Sequence, residues 1–167
     1  MTKTSFSIPP EVSHVTKTLE NKGFKAYLVG GCVRDLMIGR TPKDWDVTTD
    51  ATPEQIIAAF PHTFYENTYG TVGVVNDAAT DDRLKTIEVT PFRLESEYTD
   101  KRRPDSVSFS KNIEDDLKRR DFTINALALK LETEKEGSFT GNVIDLFKGQ
   151  NDLKDGIVRT VGDAHER

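Results

Sequence analysis

Apolar positions along this chain fall into short groups whose period changes abruptly. After Pro9-Pro10, the stretch EVSHVTKTLENKG sets Val12, Val15 and Leu19 three and four residues apart, one face of a helix, with Gly23 placed to end it. KAYLVGG then predicts a short buried strand, CVRDLMIG a helical turn or two stopping at Gly39, and DWDVTT a strand by its β-branched content. ATPEQIIAAFP is the clearest helix: Thr52 caps it, Pro53 opens its first turn, Ile56, Ile57 and Phe60 point inward, and Pro61 stops it. YGTVGVVN and RLKTIEVTPF are two strands joined by the polar turn DAATDD, a hairpin. RLESEYTDKRRPDSVSF is too polar for core and predicts a long loop, of the kind that tends to be functional. IEDDLKRRDFTINALALKLE predicts a second strong helix, and NVIDLF and GIVRTV two short closing strands around GQNDLKDG. Strands alternating with helices around a central hairpin predict an α/β (α+β) fold with a mixed sheet rather than a purely parallel one.

Composition narrows the class. At 167 residues, 35% hydrophobic and 31% charged, the chain is long enough for one compact domain with a real core, and it shows no repeat, low-complexity segment or second-domain boundary. A formal net charge of -5 argues against a freestanding nucleic-acid binder, although clustered carboxylates that hold cations also make a domain acidic. A single cysteine, Cys32, excludes an internal disulfide and a cysteine-based metal site, and fits a reducing, cytoplasmic compartment. His14, His62 and His165 have no metal-ligand spacing, and no nucleophile triad is visible. There is no apolar run of membrane length, MTKTSFSIPP lacks a signal-peptide core, and no membrane partner is expected. The chain stops at GDAHER without a terminating turn, so the expectation is a piece of something longer.

Chemistry concentrates in YLVGGCVRDLMIGRTPKDWDVTTD. On a strand, residues i and i+2 share a face, so Asp44 and Asp46 would stand side by side with Trp45 turned into packing. Two such charges repel unless a cation neutralises them, and Mg²⁺ prefers one or two carboxylates completed by phosphate oxygens and water. The bland alternative is a solvated strand edge. Gly30-Gly31 after a strand allows a sharp bend and close approach to an anion, with Arg34 one turn on to reach a phosphate and Asp35 to orient that guanidinium; alone, the glycine pair is a plain turn. Glu88, opposite in phase to Ile87 and Val89, joins the aspartates if its strand neighbours theirs; otherwise it is a surface glutamate. In the predicted long helix, Asp115–Arg119 and Asp116–Arg120 would be pairs on an exposed face. Asp121 and Asn125, one turn apart, would with Arg119 and Arg120 suit a nucleotide's triphosphate, ribose and base edge.

Taken together, LVGGCVRD, DWDV, IEVTPFR and RRDFTINALAL resemble, in order and spacing from about Tyr27 to Gly162, the catalytic head of the class II tRNA nucleotidyltransferases. These are the CCA-adding enzymes and their relatives the bacterial poly(A) polymerases, of the DNA polymerase beta-like nucleotidyltransferase fold. The resemblance implies that residues 1–167 are a head (palm) domain, with neck, body and tail domains outside this chain. It implies that Gly30, Gly31, Arg34 and Asp35 hold the triphosphate, that Asp44 and Asp46 are the ligands of a two-metal Mg²⁺ site, and that Glu88 is the third acid. Arg119, Arg120, Asp121 and Asn125 would help bind the incoming nucleotide and its sugar.

The same resemblance makes ESEYTDKRRPDSVSF, with Arg102 and Arg103, the flexible loop used in passing from C to A addition, and DLFKGQNDLKDG, with Asp145, Gly149 and Asp152, a hinge between head and neck. The base-reading Glu-Asp-x-x-Arg motif would begin just past Arg167, so this piece is expected to have the chemistry but little base selectivity or tRNA affinity. The implied reaction is transfer of CMP and AMP from CTP and ATP to the 3′ end of tRNA with release of pyrophosphate. Bacterial poly(A) polymerase, a non-catalytic nucleotide sensor and a two-metal nuclease are the alternatives.

Overall fold

A computed structural model describes residues 4–66, 69–94 and 108–163. Eight strands and five α-helices follow in the order β1 (Ser5–Ser7), α1 (Pro10–Asn21), β2 (Ala26–Val29), α2 (Gly31–Met37), β3 (Asp46–Thr49), α3 (Pro53–Ala59), β4 (Thr63–Tyr65), β5 (Val72–Val75), β6 (Thr86–Pro91), α4 (Ile113–Lys118), β7 (Leu127–Lys135), β8 (Ser138–Asp145) and α5 (Gly149–Asp155). The strands form one sheet in the order β1-β8-β7-β2-β3-β6-β5-β4. β3 and β6 run parallel and the other neighbours antiparallel, so the sheet is mixed as the sequence predicts.

The two faces differ in what covers them. Leu28, Val47, Ile87, Val89, Val72, Leu127 and Leu129 join Val12, Val15 and Leu19 of α1 and Ile56 of α3 in the larger core. On the opposite face Val29, Ala128 and Phe92 pack with Ile113 and Leu117 of α4. Alternation along each strand therefore turns Asp46 and Glu88 away from the large core, toward the face that α4 covers over β2 and β7. Thr52 closes a capping box with Gln55, as its place before Pro53 requires. Ile57, expected inward, is 38% exposed, because only Ile56 and Phe60 lie on the buried stripe of so short a helix.

Two further expectations fail. The predicted long helix from Ile113 ends at Lys118; a 3-10 turn covers Thr123–Asn125, and Leu127 onward is β7. Leu127, Leu129 and Leu131 repeat with period two and all enter the core, a strand pattern, and the Glu136-Gly137 turn (φ 54° and 79°) brings β8 back antiparallel. GQNDLKDG is helical, with Gly156 in the left-handed conformation at its end. GIVRTV contributes only an isolated bridge between Thr160 and Phe122. The predicted flexible loop with Arg102 and Arg103 falls mostly outside the described residues.

Candidate active site

Two strand ends and a helix start converge at the site. Gly30 follows β2 with φ 79° and ψ -139°, a conformation that side chains resist, and the chain bends directly into α2. Its N–H is committed to the Leu127 carbonyl (3.0 Å), while its own carbonyl accepts from Val33 and Arg34. The first-turn amides of Gly31 and Cys32 are left without an acceptor inside the helix. A Cβ on Gly30 would stand 3.2 Å from Nη1 of Arg120, and one on Gly31 3.4 Å from Nη2 of Arg34, so both guanidiniums lie against the bend. Arg34 donates to Asp35 Oδ1 (3.1 Å) and to Asn125 Oδ1 (2.8 Å), which fixes its plane.

The acids stand beside this bend. Asp46 opens β3 and its register partner across the parallel pair is Glu88. Asp44 precedes the strand and is exposed, so the paired-carboxylate geometry expected on one strand is made instead by Asp46 and Glu88 on adjacent strands. Asp44 still shares with Gly31, Arg34, Asp35 and Asp46 a cleft of about 390 Å³. A larger groove, about 580 Å³, runs past β1, Pro9, Trp45 and Gly137; it shares Arg40 and Thr41 with this cleft but holds none of the acids.

Electrostatics mark the acid row. Burial pushes Asp46 above the usual carboxylate range, helped by the charges of Asp44 and Glu66, against the pull of the Glu88 hydrogen bond and of Arg120. Glu88 is raised by burial first and then by Asp46 and Asp44, and Glu66 by burial and its hydrogen bond to Glu88. Hydrogen bonds thus link Asp46 to Glu88 and Glu88 to Glu66, a row of like charges that Arg120 offsets only in part. Among the described residues, no group of three or more His, Cys, Asp or Glu side chains could hold a metal ion by itself. Asp44 and Asp46, two carboxylates lining one cleft, are a donor set of the kind Mg²⁺ takes together with phosphate oxygens and water. Cys32, beneath the bend, is no nucleophile: burial pushes its thiol up to about 11.

The arginines hang from a residue that the sequence places wrongly. Asp116, read as part of an exposed face, has no exposed side-chain area; it accepts from Arg119 Nη2 (2.9 Å), Arg120 Nη2 (3.1 Å) and the Arg93 amide (3.1 Å). Burial alone would raise its pKa, but the two guanidiniums hold it below the usual carboxylate range. Burial in turn lowers Arg119 to about 10. Asp121 stays apart: its exposed carboxylate caps the Phe122 amide (2.7 Å), so Asp121 and Asn125 are not one helical turn apart. Asp145 accepts from the Gly149 and Gln150 amides, and Asp152 from Thr123 and Arg159, which tie α5 to the turn before β7.

Sequence reasoning missed Asp116, Glu66, Arg40 and Lys43. Arg40 and Lys43 line the cleft, and their signal was two cations between the glycine bend and Asp44. Glu66 left no signal, because only the β4–β5–β6 pairing brings it to Glu88.

A glycine bend flanked by arginines, facing carboxylates on neighbouring strands of a mixed sheet, is the layout of a phosphoryl-transfer site. Residues 26–159 match the family described as Poly A polymerase head domain, and the chain belongs to that family. It is 47% identical over 150 residues to a CCA-adding enzyme of Leuconostoc mesenteroides, covering 89% of this chain and 34% of that protein. The crystal structure of the Bacillus stearothermophilus CCA-adding enzyme in complex with CTP superposes with a TM-score of 0.75 at 37% identity, over 96% of this chain and 36% of that one. The Thermotoga maritima CCA-adding enzyme complexed with tRNA_CCA gives 0.64 at 25% identity, over 93% and 34%. The chain therefore spans about a third of the length of these relatives.

Proposed function

We propose that residues 1–167 are the catalytic head of a nucleotidyltransferase that adds CMP and AMP, from CTP and ATP, to the 3′ end of tRNA and releases pyrophosphate. The observation that carries this is the register pairing of Asp46 with Glu88 on the face toward which Arg120 also reaches from the glycine bend. The relatives crystallised with CTP and with tRNA support the choice of substrates.

In this reading Gly31, Arg34 and Arg120 bind the triphosphate, and Arg40 and Lys43 add charge along the cleft wall. Asp35 and Asn125 hold Arg34 in place, and Asp116 holds Arg119 and Arg120. Asn125 and Asp121 serve the sugar side. Asp44 and Asp46 would hold Mg²⁺, which when bound neutralises phosphate charge and lowers the pKa of the attacking hydroxyl. Glu88 is the third acid and positions the acceptor's 3′-hydroxyl beside Asp46. Base selection and most of the grip on tRNA are assigned to the two thirds of the relatives' length that this chain does not span.

Thermal unfolding with MgATP or MgCTP tests the reading on this chain. A ligand at a hundred times its dissociation constant stabilises by about 2.7 kcal/mol; the expected result is a nucleotide shift that requires Mg²⁺ and disappears in Asp46→Asn. A shift that survives Asp46→Asn, or none at all, overturns it. The matched family also includes poly(A) polymerases, and the product separates the two: a defined CCA end on tRNA against a long homopolymer on any RNA.

A further inference from the structure

Four residues in register form one row across the sheet: Phe64 opposite Gly73, Gly73 opposite Glu88, and Glu88 opposite Asp46. Residues paired this way project from the same face. Phe64 is 44% exposed. Three atoms of its ring lie 2.4 to 2.9 Å from where a Cβ on Gly73 would stand, so the ring reaches over β5, toward Glu88, through space that only glycine leaves open. Covering Gly73 requires one side of the ring, and the exposed area is what remains.

We propose that this exposed ring is the stacking platform for the 3′-terminal base of the RNA acceptor. The inference rests on the nucleotidyl-transfer reading above and names a contact that it lacks. The glycine bend and Arg34 lie on the β2 side of Asp46, and Phe64 lies on the β4 side. In-line displacement puts the attacking and leaving oxygens on opposite sides of the phosphorus. With the triphosphate on the β2 side, the attacking hydroxyl comes from the β6 side, and its own base lies farther along the row. Two strand spacings, about 9.5 Å, separate β4 from β6, and the lean of the ring shortens that to the scale of one nucleotide. Every base has a π-face, so the platform accepts either a C or an A end.

A short single-stranded RNA ending in 2-aminopurine riboside reports stacking directly, because its fluorescence falls when the base stacks. Titrated with this chain up to millimolar concentration, it should be quenched. Phe64→Leu should weaken that binding roughly tenfold or more, the range seen for a lost base–aromatic stack. Phe64→Trp should preserve quenching, and Gly73→Ala, which displaces the ring without removing it, should lose it. Quenching that survives Phe64→Leu, or no quenching by the unsubstituted chain, overturns the proposal. So does Phe64-dependent quenching of 2-aminopurine riboside triphosphate in place of the RNA. MgATP stabilisation measured on the same samples keeps the two readings apart. If it fails while Phe64-dependent quenching persists, nucleotidyl transfer falls and takes the acceptor role with it, leaving only a ring that binds bases; quenching lost while MgATP stabilisation holds removes the platform alone.

Discussion

Asp116 shows how one buried charge sets the geometry of the arginines beside the glycine bend. Its carboxylate is enclosed and accepts from two guanidiniums and a backbone amide, while Nε of Arg120 is buried with no hydrogen-bond partner among the described residues. Replacing it by asparagine keeps the shape and removes the charge that balances both arginines. Breaking a buried ion pair from one side costs about 3–5 kcal/mol, so Asp116→Asn should lower stability by that order in denaturant titration. At temperatures where the variant remains folded, it should also weaken MgATP binding, because Arg120 loses the anchor that presents it to the bend. Unchanged stability would mean that the arginines find other partners.

At the scale of elements, the β2–α2 bend is the most demanding joint. Gly30 has a conformation that an alanine adopts only under strain, of order 1–3 kcal/mol, and the added methyl would meet Arg120, which Asp116 holds still. Gly30→Ala should therefore lose about that much stability and most nucleotide binding, whereas Gly39→Ala, with open space around its Cβ position, should suffer only the backbone strain of its own positive φ. This joint was legible in the sequence, since a strand, two glycines and an Arg-Asp pair announce themselves locally. So were α1, α3 and the β5–β6 hairpin, whose periods and caps lie within a dozen residues.

The segment from Ile113 to Leu131 was not legible. Its acidic and basic residues repeat at helical spacing while Leu127, Leu129 and Leu131 repeat at strand spacing, and the first pattern masked the second. Asp116 was misplaced for the same reason: spacing shows that it can meet Arg120 but not that the sheet closes over it. Glu66 and Phe64 acquire meaning only through strand pairing, which no local pattern records.

For the molecule as a whole, buried carboxylates of opposite tendency shape the response to pH. Asp116 is held below its ordinary value of 3.8, so the stability it contributes is complete above that value and is lost as pH falls through its folded value. Asp46 and Glu88 are held above 3.8 and 4.5, so the folded chain binds their protons more tightly than the unfolded chain does. Their contribution is greatest below those ordinary values and declines as pH rises through the folded ones. The chain without metal should be most stable under mildly acidic conditions. MgATP should move that optimum upward, because a cation favours the ionised carboxylates. Melting temperature against pH, with and without MgATP, checks both statements; an optimum that does not move would separate the acid row from the metal.

The parallel pairing of β3 with β6 has a further consequence for how the molecule matures. Asp46 and Glu88 meet only after the chain has passed through α3, β4 and β5, so the acid pair depends on non-local pairing, not on a local pattern. A slip of a single residue between these strands would bury a carboxylate and expose a valine, a penalty large enough to reject the misaligned chain outright. The acid pair and the correct topology are thus acquired together: a half-folded copy has neither.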